Sequence, residues 1–150
     1  IYQRTGRPMK KSVFVDTGFW IALLDRRDIN HPIAGSSLKP LLKNYRVYLS
    51  DFIVFETITY LNCSIKRHDL AVRFLSKVQE PTLTILVVDE FIKARALKSF
   101  QQYSDKDLSV TDCTSFALML QNEMQMYAGF DDHFQQVGFV SVLEQIKGGL

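Results

Sequence analysis

The sequence predicts an α/β domain, a central, mostly parallel sheet of about five strands with helices layered on both faces. Short apolar runs alternate with longer amphipathic stretches along the chain, the pattern of strands joined by crossover helices. The runs are too short for helices and are bounded by polar or turn-forming residues, as buried strands are. The chain has 150 residues, of which 47% are hydrophobic, enough for one domain with a true core. No repeat, low-complexity tract or interdomain linker interrupts it.

Each element has a local reason. Ser12-Val13-Phe14-Val15 is the first strand, and Asp16-Thr17 open a helix over Gly18–Leu24 with Trp20, Ile21 and Leu24 on one face. Asp25–Asn30 is a charged loop. His31-Pro32 starts the next helix, with Pro tolerated in its first turn, and it runs to about Asn44. Tyr45–Leu49 is a second strand. Ser50 or Asp51 then caps a long helix from Phe52 to about Lys66. A further helix runs from Asp69 to about Gln79 with Leu70, Phe74, Leu75 and Val78 as its stripe, and Pro81 breaks it. Leu83–Val88 is the third strand, and Asp89 caps a helix over Glu90–Gln102. After the polar loop Tyr103–Leu108, Ser109 begins a helix to about Asn122, its stripe being Cys113, Phe116, Ala117 and Leu120. Met124–Gly129 is the fourth strand, Asp131–Val137 a short helical turn ended by Gly138, and Phe139-Val140 starts a fifth strand.

Composition narrows the function classes. The formal charge is +2, and Arg4 and Arg7 supply that excess, so the chain from Met9 onward is balanced and offers no global basicity for nucleic acid. Ile1–Pro8 reads as an upstream leader and Met9-Lys10-Lys11 as the natural start. No apolar run is long enough to span a membrane. Cys63 and Cys113 sit in apolar helical patterns with no zinc-ligand spacing. Both are expected to be buried free thiols, which suits a reducing cytoplasm.

Four carboxylates stand where apolar structure leaves them little solvent: Asp16, Glu56, Asp112 and Asp131. In a parallel sheet, ligands gather beyond the carboxyl ends of the strands, and all four belong to that edge. Converging carboxylates make a hard-cation site. Each also has a structural explanation. Asp16 has the position of an N-cap, and Asp89 has the same strand–Asp–helix setting, so position alone does not mark a catalytic acid. Ser109-Val110-Thr111-Asp112 resembles a capping box. Asp131 competes with its neighbour Asp132 for the fourth place. Glu56 is hardest to explain away, because Phe52-Ile53-Val54-Phe55 precede it and Thr57-Ile58 follow it. A buried lone carboxylate raises its pKa or finds a cation. Asp107 reads as a solvated loop acid with a possible supporting role, and His31, His68 and His133 as surface residues, His133 being nearest the site.

Other chemistries lack their motifs. There is no G-x-x-x-x-G-K-[ST] for a P-loop, no G-x-G-x-x-G for a dinucleotide and no G-x-S-x-G nucleophile elbow. A haloacid-dehalogenase-type phosphatase needs a second Asp where Gly18 stands.

From Met9 onward the chain resembles a PIN-domain ribonuclease of the VapC toxin type. The resemblance rests on Val13-Phe14-Val15-Asp16-Thr17-Gly18-Phe19-Trp20, on Val54-Phe55-Glu56-Thr57, on the stretch Asp107–Phe116 around Asp112, and on Gly129-Phe130-Asp131-Asp132-His133-Phe134 followed by Gly138-Phe139. The stretch around Asp112 is the most specific of these. Asp132 stands where the family pattern has a basic residue, and the match gives the fourth role to Asp131. The resemblance implies a PIN-like fold with the first strand central and the third at an edge.

It also implies an activity: a Mg²⁺- or Mn²⁺-dependent endoribonuclease cleaving single-stranded or structured RNA, with Asp16, Glu56, Asp112 and Asp131 as metal-holding catalytic acids. Ser109 and Thr111 would support them by orienting a water or a carboxylate, with Asp107 alongside. As a toxin it would have a small antitoxin partner over the acidic cleft and an apolar groove, with Ile21, Leu24, Leu38, Leu41 and Leu42 as candidates. A homodimer is expected, through the helices Phe52–Lys66 and Asp69–Gln79. The alternatives are a catalytically inactive scaffold of the same fold and a structure-specific DNA nuclease.

Overall fold

A computed structural model describes residues 9–148, so the leader reading of Ile1–Pro8 lies outside the described residues. Five parallel strands form one sheet in the order β3-β2-β1-β4-β5. They are β1 (Lys11–Val15), β2 (Tyr45–Ser50), β3 (Leu83–Leu86), β4 (Met126–Ala128) and β5 (Val140–Ser141). The first strand is central and the third lies at an edge, as the resemblance implied. The helices are α1 (Thr17–Leu24), α2 (His31–Asn44), α3 (Asp51–Thr59), α4 (His68–Val78), α5 (Glu90–Gln102), α6 (Val110–Gln121), α7 (His133–Gln136) and α8 (Val142–Gly148).

Side chains alternate between faces along a strand. Val13, Phe14 and Val15 of β1 are all at 0% exposure, so both faces of the sheet are covered and three layers follow. In one aromatic cluster Phe134 stacks on Tyr127 and on Phe14 and meets Phe116 edge-on. In another, Trp20 lies against Phe19 and Phe74, while its indole N–H donates to Val15 O.

Several boundaries differ from the sequence reading, for local reasons. The third strand ends at Leu86 instead of Val88, because Val88 N donates to the Asp51 carboxylate at 3.0 Å and leaves the ladder. The fourth strand is only Met126–Ala128, since Met124 N is tied back to Met119 O at 2.8 Å. The fifth starts one residue late because Phe139 N closes α7 on Phe134 O at 3.0 Å. Ser50 rather than Asp51 caps α3. After Thr59 the helix continues as one π turn, Tyr60–Ser64, which ends on Lys66 at φ 59 with Arg67 N bonded to Leu61 O. Helix α8 has no counterpart in the sequence reading.

The expected stripes are partly wrong. Leu70, Ala71, Phe74 and Val78 make the buried face of α4, whereas Leu75 is exposed. Helix α6 is buried all round from Cys113 to Met119, and Leu120 points outward. Cys113 is buried as expected, but Cys63, on the π turn, is exposed, which corrects the expectation for that thiol. His31 is also more than a surface residue: half-buried, it sets Nδ1 2.7 Å from Ala22 O and ties α2 to α1. No helix among the described residues is long and apolar enough to cross a membrane.

Candidate active site

The carboxyl end of the sheet brings four acids into electrostatic contact. Asp16 follows β1 directly. Its backbone N–H still bonds Ala128 O at 2.9 Å, extending the ladder to β4, while its side chain caps nothing on α1. The residue is 5% exposed. Burial pushes its carboxyl well above the usual range, and Asp131, Asp112 and, more weakly, Glu56 push in the same direction, with only the Thr17 N–H opposing them.

Gly129 lets β4 pass close by. A Cβ on Gly129 would stand 3.3 Å from Asp16 Cβ, so a side chain there would press on the acid.

Asp112 is held by a complete capping box. Ser109 Oγ accepts from Asp112 N at 3.0 Å, and Ser109 N donates to Asp112 Oδ2 at 2.9 Å. That box fixes the rotamer of the carboxylate. Burial raises its pKa, the Ser109 N–H opposes that, and Asp131 adds to it.

Asp131 leaves β4 through Gly129 and Phe130, and its Oδ1 accepts from His133 N at 3.0 Å. Asp132 instead accepts from Gln136 Nε2 at 3.0 Å and is not among the main charges acting on Asp16.

Glu56 is half-buried, less enclosed than its apolar neighbours suggested, because Phe55 beside it is 65% exposed. Thr111 shares a cleft with Glu56. Asp107 is exposed on its loop and joins none of these contacts. Asp89 is a plain N-cap, accepting from Ile92 N at 2.9 Å.

The sequence reading undervalued His133. Its Nδ1 lies 3.5 Å from Asp112 Oδ2 and 3.7 Å from Asp131 Oδ1. Among the described residues it is the one basic side chain within 4 Å of any of the four acids. Its spacing of two from Asp131 was the available signal. Tyr127 lies against Gly129, and burial, with Asp131 and Glu144 adding to it, pushes its hydroxyl up to about 12. It therefore stays neutral beside the acids.

The donor set consists of carboxylate oxygens that, among the described residues, pair with no Lys or Arg, which is chemistry that suits a hard divalent ion. The side chains as placed do not close on one point: among the described residues no three His, Cys, Asp or Glu form a ready metal cage. Burial of Asp16 among three other acids is the feature that a cation would relieve.

The groove candidates divide. Ile21, Leu24 and Leu41 are buried in the core, while Leu38 and Leu42 are partly buried. A shallow cleft of about 290 Å³ between α1, α2 and α4 is lined by Leu23, Leu24, Leu38, Arg73, Ser76, Lys77 and Glu80.

The chain is similar to several known proteins. The family model described as PIN domain matches residues 13–140. The 23S rRNA-specific endonuclease VapC20 of Mycobacterium tuberculosis, strains CDC 1551 / Oshkosh and ATCC 25618 / H37Rv, is 31% identical over 134 residues, covering 87% of this chain and 97% of that protein. The crystal structure of the same organism's VapC20, described as a Sarcin-Ricin loop cleaving toxin, superposes with a TM-score of 0.78 at 30% identity, covering 86% of this chain and 97% of that one. FitAcB from Neisseria gonorrhoeae shares the fold with a TM-score of 0.63 at 19% identity, over 86% and 95% of the two chains.

Proposed function

This chain belongs to the PIN-domain family, and we propose that it is an endoribonuclease, the toxin of a toxin–antitoxin pair, cutting structured RNA at its acid cleft. The observation that carries the reading is Asp16, buried at 5% exposure with Asp131, Asp112 and Glu56 all raising its pKa. A fold does not retain so much unneutralised charge in one place for stability. The relative's designation as a 23S rRNA-specific endonuclease, and the similar structure's as a Sarcin-Ricin loop cleaving toxin, support a ribosomal RNA hairpin as the substrate class here.

Asp16, Glu56, Asp112 and Asp131 would hold the ion, and oxygen ligands favour Mg²⁺ or Mn²⁺. Such an ion supplies a water of lowered pKa and charge stabilisation at the scissile phosphate. The chain's own groups prepare the cleft. Ser109 fixes the Asp112 rotamer, and His133 directs a ring nitrogen at Asp112 and Asp131.

The cleft bounded by Leu23, Leu24 and Leu38 is the seat we assign to an antitoxin segment. Exposed Val72 and Leu75 on α4 support a homodimer using that helix. A ribosomal substrate implies action in the cytoplasm.

The test is incubation of the purified protein with Mg²⁺ and a sarcin–ricin-type hairpin RNA. Wild type is expected to cut it, and EDTA or Asp16→Asn to stop the cut while the fold persists. Full activity in Asp16→Asn, or cleavage indifferent to EDTA, would overturn the reading.

A further inference from the structure

Helix α3 carries two stripes. Ile53, Val54, Thr57 and Leu61 face the core and are buried. The opposite stripe, Phe52, Phe55, Glu56, Thr59 and Tyr60, follows the same helical spacing but faces a cleft of about 490 Å³, completed by Ser64 and Thr111. Phe52 rests partly on the core, but core packing does not explain Phe55 and Tyr60, which are 65% and 43% exposed. The cleft is of the size of small-ligand sites. Its one charged residue, Glu56, is an acid of the candidate active site, and Thr111 directly precedes Asp112. The cleft therefore adjoins the acids through Glu56. The π turn Tyr60–Ser64 supplies two of its lining residues, and π turns recur at functional sites.

We propose that this cleft is a base-stacking subsite, in which Phe55 and Tyr60 take an unpaired nucleobase of the RNA beside the scissile phosphate. The proposal rests on the endoribonuclease reading and adds where the substrate is gripped. Sequence-selective RNA recognition works mostly on unstacked bases laid on aromatic side chains, and a hairpin loop offers them. The lining suits a base better than a phosphate, because it has aromatic faces and hydroxyls, and its single charge is negative. Among the described residues the hydroxyls of Thr59, Tyr60, Ser64 and Thr111 make no hydrogen bond within the chain, whereas those of Thr57 and Thr114 donate to Ile53 O and Thr111 O. They are free to read a base edge.

The test uses the full chain carrying Asp16→Asn, so that RNA is bound and not cut, with a fluorescent hairpin RNA and Mg²⁺. Phe55→Ala is expected to weaken binding by about 5- to 150-fold, the range for loss of one stacked base. Phe55→Leu should weaken it nearly as much, and Phe55→Trp should restore it. An abasic nucleotide scanned through the loop should find one position whose loss is not additive with Phe55→Ala. Melting curves check the fold, which an exposed Phe should leave intact. Unchanged binding in Phe55→Ala overturns the proposal. So does full binding by Phe55→Leu, or a Phe55→Ala defect that sedimentation traces entirely to a lost protein–protein contact. If the parent chain with Asp16 intact does not cut the hairpin, it is the endoribonuclease reading that fails.

Discussion

Truncating Phe134 to Ala tests whether the turn bearing Asp131 and His133 is seated by the core. Phe134 is at 0% exposure, with ring centroids 4.7 Å from Tyr127, 4.9 Å from Phe116, 6.3 Å from Phe139 and 6.4 Å from Phe14. Removing a buried Phe costs about 3–5 kcal/mol through lost transfer energy and the cavity left behind. Each aromatic pair at such distances adds about 0.5–1.5 kcal/mol beyond its area, which places this site toward the upper end. A domain of this size loses about 2–4 °C of Tm per kcal/mol, so the expected drop is about 6–20 °C. Against a usual stability of about 5–15 kcal/mol the variant should remain folded in the cold. Urea unfolding followed by circular dichroism measures the loss. RNA cleavage measured in the cold, where the variant is folded, should also fall, because Asp131 is bonded to His133 N in the turn that Phe134 anchors. A loss under about 1 kcal/mol would refute the cavity argument. Undiminished cleavage would refute the coupling of core to site.

Three further outcomes follow from the same geometry. Without divalent ions, Asp16→Asn should be more stable than wild type at neutral pH: the raised folded-state pKa means the folded chain holds a proton the unfolded chain releases, so wild-type stability falls as pH rises from about 4 through the folded value. Melts across pH should show the two proteins converging in acid, and Mg²⁺ at about 100 times its Kd should return about 2.7 kcal/mol to wild type but not to the variant. Ser109→Ala should lose about 1 kcal/mol from the broken cap, read by thermal melting, with reduced cleavage as Asp112 loses half of its box. Asp131→Asn should reduce cleavage by more than the roughly 10- to 100-fold typical of groups that only orient a site, whereas Asp132→Asn should stay near wild type in a cleavage assay.

The order of elements was legible because strand and helix periods differ and the punctuation was plain. Asp89 capped a helix with the predicted bounds Glu90–Gln102, and the Ser109–Asp112 box formed as written. Strand lengths were not legible, since they depend on contacts distant in sequence. Val88 leaves the ladder for a carboxylate 37 residues earlier. Apolar character also does not say which stripe faces inward. Leu75 and Leu120 read as core and are exposed, and the outer stripe of α3 made Glu56 look more enclosed than it is. His133 was undervalued because its spacing from Asp131 hinted only at proximity, and its second partner, Asp112, is brought beside it by the fold.

Asp16 and Asp89 show what separates a structural acid from a functional one. Both follow a strand and precede a helix, and the sequence alone gives them equal claims. Asp89 is exposed and accepts a backbone bond from Ile92, so its charge is solvated and used. Asp16 caps nothing, is buried, and has three other acids acting upon it. In isolation the fold would be better served by a neutral residue at Asp16, because a buried charge without a partner costs several kcal/mol or forces protonation. Position on the sheet edge makes the site possible. The unmet electrostatic demand of Asp16 argues that something outside the chain, a divalent ion and then a phosphodiester, completes it.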